Sequence, residues 1–430
     1  MRDATRVPGL GLLPDSATVS HGRLALGGID ADELAARFGT PLYVYDATTL
    51  RARAAAYREP LAAVGGRAMF ALKANGTPGV LRILREAGLG ADVASAGEIA
   101  QARAAGFAGA DLVVHGNAKG DDDLAASLAA GAGLVVLDAP EEAAALAALA
   151  RARGPEQDVL VRVTPDIVVD THAKIRTGHA GSKFGLDPAD ALALLRGLPA
   201  GLTGRGLHVH LGSQVVDAGP LRSAAAWCAR FCAEAGIAPE VLDLGGGLGV
   251  AYSPGEPAPD PRAYATALTT AVPAAFVAAG VPVPQLLLEP GRSVVATAGV
   301  TLYRVRIVKR TSAGTTWVSV DGGMADNPRV ALYDAPYHPL LATRLDRAPT
   351  GTFAVAGLRV RQRDVPGQHV ARLAVAPGDL VAVPVTGAYH ATMASNYNAF
   401  GRPAAVVVDD GAATEVTRRE TPDDLLARER

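Results

Sequence analysis

The sequence predicts an α/β fold, a (β/α)8 TIM-like barrel followed by a C-terminal all-β domain, and three observations carry that prediction. Short apolar runs rich in Val and Leu alternate with Ala/Leu/Arg/Glu segments of helical period, the pattern of a parallel sheet buried on both faces. Eight such runs lie between Ala68 and Gly291, the number that closes a barrel. Polar residues gather at the C-terminal ends of the runs, where barrel enzymes keep their chemistry. An open doubly wound sheet is the structural alternative, and only the placement of those polar residues favours the barrel over it.

In chain order, residues 1–44 form an N-terminal segment whose "GRLALGG" has no barrel partner and is expected to join the β domain. Residues 45–293 form the barrel, with strands at "AMFALKA", "GADVAS", "LVVHGN", "GLVVLDA", "DVLVRVTP", "GLHVHLGS", "VLDLGGG" and "QLLLEPG". The strand-end polar positions are Lys73, Asp92, Asn117, His210 with Ser213, Gly245 to Gly247, and Glu289. From residue 294 to 430 the texture changes. "TLYRVRIVKR", "TTWVSVDGG", "TFAVAGLRV", "DLVAVPVTGAY" and "RPAAVVVDDG" are alternating strands joined by turns. The first 20 residues and the final "TPDDLLARER" are expected to be mobile or loosely docked.

A chain of 430 residues is long for one domain and comfortable for two. Its 41 basic and 43 acidic residues nearly cancel, which gives no electrostatic case for nucleic acid or an anionic membrane and points to a small-molecule partner. Cys228 and Cys232 share one face of a helix and read as buried core thiols. A metal pair would want further ligands nearby and the sequence offers none, so no metal is expected. No signal peptide or membrane-length apolar run is seen, and a reduced cytoplasm fits.

Lys73 closes the first apolar run, just before an Asn-Gly turn. A lysine held against apolar neighbours loses solvation of its charge, which lowers its pKa and frees the amine to attack a carbonyl; a snorkelling surface lysine is the alternative. "GGGLG" strips side chains from a turn so that backbone N–H groups can approach an anion, although a tight turn would also explain one glycine.

The motifs "FALKANG", "HVHLGSQ", "DLGGGLG", "EPGR", "DGGMADNPRVALY" and "GAYHATMASNYN", in that order from about Pro41 to Val408, resemble the diaminopimelate decarboxylases. These are pyridoxal-phosphate enzymes with the fold of alanine racemase and ornithine decarboxylase. The resemblance implies that Lys73 carries pyridoxal 5'-phosphate, that Glu289 faces the ring nitrogen, and that His210 stacks on the ring; His208, two residues earlier on the same strand, points the same way and is expected behind it. It implies cofactor contacts from Asp92, Ser213, Gly245, Gly246, Gly247, Gly291, Arg292 and Tyr389. Arg292, Arg329, Tyr333 and Tyr389 would meet an amino-acid substrate, the two arginines holding its distal carboxylate. A head-to-tail homodimer with shared active sites is also implied.

One segment departs from the family. Where the family has Cys-Glu-Ser-Gly-Asp, contributed from the partner subunit, this chain has Val360, Arg361, Gln362, Arg363 and Asp364. The family glutamate meets the distal amino group of diaminopimelate, and like charges at ~4 Å repel by several kcal/mol at protein-like dielectric. Arg361 and Arg363 are therefore expected to line an altered distal pocket, or else to be solvated on a displaced loop. Three functions stay open at this stage: a decarboxylase acting on a substrate with a changed distal end; a pyridoxal-phosphate racemase or decarboxylation-coupled transaminating enzyme, since the family's cysteine proton donor is gone; and an inactive cofactor- or partner-binding homologue. His390, Tyr389 and solvent are candidates to replace that donor.

Overall fold

The structure, a computed structural model, describes residues 9–154, 156–165, 167, 182–346, 352–357, 370–371 and 375–429. It divides into two compact units: Arg53–Val250 with Ala258–Ser293, and Met1–Ala52 with Ala251–Pro257 and Val294–Arg430.

The first unit is a closed parallel barrel. Its strands are β1 (Arg67–Ala71), β2 (Gly90–Val93), β3 (Leu112–Val114), β4 (Leu134–Leu137), β5 (Gln157–Arg162), β6 (Leu202–His208), β7 (Val241–Asp243) and β8 (Gln285–Leu288). Each strand pairs with its neighbours in chain order and β8 closes on β1, so the eight apolar runs of the sequence are the eight staves and the open sheet is ruled out. Helices follow the strands, as at Pro78–Glu86 after β1 and Gly219–Ala235 after β6. Cys228 and Cys232 are buried on the latter, and burial pushes both thiols up. Asn75 is extended, and the turn at Asn-Gly is made by its side chain, whose oxygen accepts from Thr77 N at 3.0 Å before Pro78 opens the helix.

Met69, Val113, Val136, Leu160, Val241 and Leu287 make one buried cluster inside the barrel, drawn from six strands. The two remaining strands place glycines at this level because there is no room for a side chain. A Cβ on Gly90 would lie 2.4 Å from Met69 Cε, and one on Gly206 would lie 1.9 Å from Val241 O. The register has Gly206 opposite Val241 and His208 opposite Asp243.

In the second unit the sheet runs Val370–Ala371, Thr352–Ala356, Thr316–Val320, Gly299–Arg310, Leu42–Asp46, Ala404–Asp409, Ala412–Thr417. Leu380–Pro384 also pairs with the long Gly299–Arg310 strand. Leu42–Asp46, fully buried, is a central strand that the apolar-run pattern did not predict, because "PLYVYD" is too short to show a period. "GRLALGG" supplies Arg23–Leu26, which pairs in its own three-stranded sheet with Thr18–Ser20 and Ile29–Asp30. Its Leu24 and Leu26 pack into the same core as Leu42 and Val44. Of the two ends expected to be mobile or loosely docked, residues 1–8 lie outside the described residues, Thr18–Ser20 is a strand, and Pro422–Leu426 is a helix capped by Thr421 and Asp424 with none of its residues buried.

Gly206→Ala would press a methyl group on the Val241 carbonyl at a position with φ of 155°. We expect it to cost on the order of 2–4 kcal/mol and to appear as a lower thermal unfolding midpoint by calorimetry; an unchanged midpoint would show that β6 and β7 can separate without loss.

Candidate active site at the barrel mouth

Successive side chains on a strand point to opposite faces, so the residue two positions on from each member of the apolar layer faces inward one layer higher. Those residues are Ala71, Asp92, His115, Asp138, Arg162, His208, Asp243 and Glu289. Seven of the eight are ionisable, and every one of the seven is buried.

They pair with one another. His208 Nε2 lies 3.4 Å from Glu289 Oε2, and His115 Nε2 is in direct contact with Glu289 Oε1. His115 also lies 3.7 Å from Asp92 Oδ1, and the two imidazoles meet edge to face at 4.7 Å. Arg162 lies 3.8 Å from Asp138 and stacks on Phe184. Burial alone would raise the Glu289 carboxyl, but the flanking His115 and His208 reverse this and hold it well below the usual carboxylate range. Burial pushes His208 down to about 3, so it faces Glu289 as a neutral ring.

Lys73 sits one layer higher, in the turn Leu72–Ala74. The enclosure by apolar neighbours expected from the sequence is not found: its side chain is 54 % exposed, with Nζ 3.9 Å from Asp92 Oδ2. Leu72, Ala74 and Asn75 around it are buried, so the side chain of Lys73 alone turns outward here. Of the strand-end polar residues read from the sequence, Asn117 lies half-buried on the loop after β3, and His115 takes the inward position instead. His115 went unread because "VVH" resembles any strand end until the registers are aligned. The loop after β3 is fixed by Lys119, whose Nζ donates to Gly116 O (2.9 Å) and Val136 O (2.6 Å) and pairs with Glu142 at 2.8 Å.

At the end of β7 the glycines are required by close backbone approach. Gly245 and Gly247 have φ of 65° and 113°, and a Cβ on Gly246 would lie 2.1 Å from Glu289 O. Two of their amides are already taken up. Gly245 N donates to Asp243 Oδ1 at 2.8 Å, and Gly246 N donates to His210 Nδ1 at 3.3 Å. Burial lowers His210 well below its usual value, and the Gly246 bond fixes Nδ1 as the acceptor. Arg292 Nη2 donates to Ser213 Oγ at 3.3 Å. Gly291 packs against Ala71 and Ala74.

In the second unit Arg329 is buried, its guanidinium 4.7 Å over the Tyr252 ring and its Nη1 donating to Tyr337 OH at 2.6 Å. Tyr333 is exposed, four residues on. Tyr389 holds a left-handed backbone, with φ of 61°, beside the buried His390. Arg361 and Arg363 lie outside the described residues.

Residues 47–296 match the family described as pyridoxal-dependent decarboxylase, pyridoxal binding domain. The diaminopimelate decarboxylase of Actinosynnema pretiosum subsp. auranticum is 48% identical over 97% of this chain and 95% of its own length. The chain belongs to the diaminopimelate decarboxylase family. That of Bacillus subtilis (strain 168) is 37% identical over 94% and 95% of the two chains. The crystal structure of diaminopimelate decarboxylase from M. jannaschii in complex with L-lysine superposes with a TM-score of 0.87 at 32% identity, covering 97% and 98%.

As a member of that family the chain is a pyridoxal-phosphate-dependent carboxy-lyase, and its barrel fits the cofactor. A protonated pyridine nitrogen needs a buried anionic acceptor, and Glu289 Oε1 has no aligned hydrogen-bond donor despite its contact with His115. His115, His208, Asp243 and Glu289 bring ligand atoms within 4.8 Å of one another. The members of this set come from four separate strands, so no local spacing shows them as a set, although His208 and Glu289 were each read singly. Arg162 supplies positive charge in the same layer, which argues against reading the set as a metal centre. Among the described residues no helix is long and apolar enough to cross a membrane.

His208 binds its proton more weakly in the folded chain than in the unfolded one. It therefore contributes stability that is present above pH 6.5 and is lost as pH falls from 6.5 toward about 3. We expect urea-unfolding free energies to fall across that window and His208→Gln to flatten part of the fall; an identical acid limb in the variant would place the loss elsewhere.

Proposed function

We propose that this decarboxylase removes carbon dioxide from a diaminopimelate-type amino acid, and that Lys73, Glu289 and His210 are its catalytic residues. The single observation that supports this most is the buried Glu289, held ionised between two imidazoles at the mouth of the barrel. Pyridoxal phosphate, when bound, supplies an electron sink for the pair of electrons left as carbon dioxide departs. Glu289 keeps a proton on the ring nitrogen, so the sink stays strong. Lys73 offers the exposed amine for covalent attachment of the cofactor. His210, its tautomer set by Gly246, would bound one face of the ring. Asp92 orients the Lys73 ammonium across 3.9 Å. Ser213, Gly247, Gly291, Arg292 and Tyr389 are proposed for the phosphate end, Gly245 and Gly246 serving there by backbone shape rather than by free amides. A cytoplasmic head-to-tail homodimer follows the family resemblance.

For the substrate, we propose that Arg292, Arg329, Tyr333 and Tyr389 receive the distal carboxylate and polar groups. Arg361 and Arg363 then face the distal end, so that a neutral or acylated distal nitrogen is preferred over an ammonium. The relatives' names favour a second reading, in which meso-diaminopimelate itself is the substrate.

Two experiments test these assignments. Borohydride treatment of the holoenzyme should fix the cofactor's mass on the peptide containing Lys73, Lys73→Ala should abolish turnover, and Glu289→Gln should lower kcat by about 100-fold or more while cofactor binding persists. Near-normal turnover of Glu289→Gln would remove that residue from the ring. Carbon dioxide release from meso-diaminopimelate, compared with analogues acylated or lacking the distal amine, should favour the analogues, and Arg361→Glu should shift preference back toward diaminopimelate. Efficient use of meso-diaminopimelate by the unchanged protein would decide for the second reading.

A further inference from the structure

The layer of ionisable residues leaves one carboxyl group unmatched. Asp138 has Arg162, Asp92 has Lys73 and His115, and Glu289 has His115 and His208. Asp243, which has no exposed surface, forms no ion pair among the described residues. Its Oδ1 accepts from the Gly245 amide at 2.8 Å, and its Oδ2 is buried without a hydrogen-bond partner. The groups that face it are Glu289, Asp92, His115, His208 and the Arg162 guanidinium. Two carboxylates so close in a water-poor interior cannot both be ionised cheaply. Glu289 is the one with imidazole partners.

We infer that Asp243 is a positioning residue that carries a proton on Oδ2 facing Glu289 while Oδ1 holds the glycine turn, so that one neutral carboxyl ties the ring-nitrogen end of the cofactor site to its glycine end. The inference rests on the proposed role of Glu289. Burial first, and then the Glu289 charge, pushes the Asp243 carboxyl well above the usual range, with the Gly245 amide opposing. A neutral carboxyl in that place does two jobs at once. It donates to an ionised neighbour and so steadies that neighbour's charge. It also passes any shift of the glycine turn to the carboxylate that faces the ring.

Asn has the same shape, with an oxygen for Gly245 and an NH2 for Glu289, so it imitates the protonated acid and not the anion. In the holoenzyme Asp243→Ala should raise the cofactor's dissociation constant about tenfold or more, and Asp243→Asn should recover most of that loss. Infrared difference spectra of the full chain at neutral pH should show a buried protonated-carboxyl band that is lost in Asp243→Asn. A raised carboxyl pKa gives stability that is present at low pH and is lost as pH rises through it, so the variant's unfolding midpoint should also fall less than the parent's toward alkaline pH. Absence of the infrared band from the unchanged protein, or an Asn variant as impaired as the Ala variant, would overturn the assignment. Near-normal turnover of Glu289→Gln would end the ring-nitrogen reading and leave the band in place, so the two can fail separately.

Discussion

Everything at the barrel mouth depends on one constraint: seven ionisable side chains from seven neighbouring strands are buried in a single layer, directly above a layer that is wholly apolar. An isolated charge in such a place is expensive, and it survives only when its neighbours compensate it. The pairings within the layer are therefore conditions of folding as well as of chemistry. The apolar layer beneath keeps water out from below. The protonation states above it are consequently set by contacts such as Glu289 with His115 and His208 more than by bulk pH.

The same layer is held in place by backbone bonds that run past the formal ends of the strands. Val209 N donates to Asp243 O at 2.8 Å, Glu289 N to Gly245 O at 2.8 Å, and Ala71 N to Pro290 O at 3.1 Å. Extending the ladder into the turns brings backbones so close that a Cβ on Gly246 or Gly247 would strike a carbonyl oxygen. Glycine at these positions is thus required twice, once by the packing of turn on turn and once by the left-handed φ of Gly245 and Gly247. What the turn can offer an anion is correspondingly narrower than three consecutive glycines suggest, since two of the amides already orient Asp243 and His210.

How much of this could be read from the sequence follows from which signals are local. The eight apolar runs are local, and they became the eight strands in order. Lys73 and Glu289 were legible because each closes such a run, and Asp92 because it is the one ionisable residue within its run "GADVAS". His115 and Asp243 were harder. "VVH" and "VLD" carry the same inward-facing polar ending as "LLLE", but only the contacts of His115 and His208 with Glu289, and the closeness of Asp243 to all three, reveal that the endings meet. The burial of Leu42–Asp46 was also invisible locally. Its partners, Gly299–Arg310 and Ala404–Asp409, lie more than 250 residues away in the chain.

The layer also decides which lysine is available for chemistry. Two lysines follow barrel strands within a few residues, Lys73 after β1 and Lys119 after β3. An ammonium has three donors. Those of Lys119 meet Gly116 O, Val136 O and Glu142, in a side chain only 1 % exposed, so its amine is fully committed to holding the loop that carries His115. Breaking that set would strand Glu142 as a buried charge, which makes Lys119 a poor source of a free amine. Lys73 stands above the buried layer, half in solvent and 3.9 Å from Asp92, and can leave that contact without uncovering a buried charge that lacks a second partner, because His115 also faces Asp92. The amine that the barrel can give up is thus the one that the packed layer does not need.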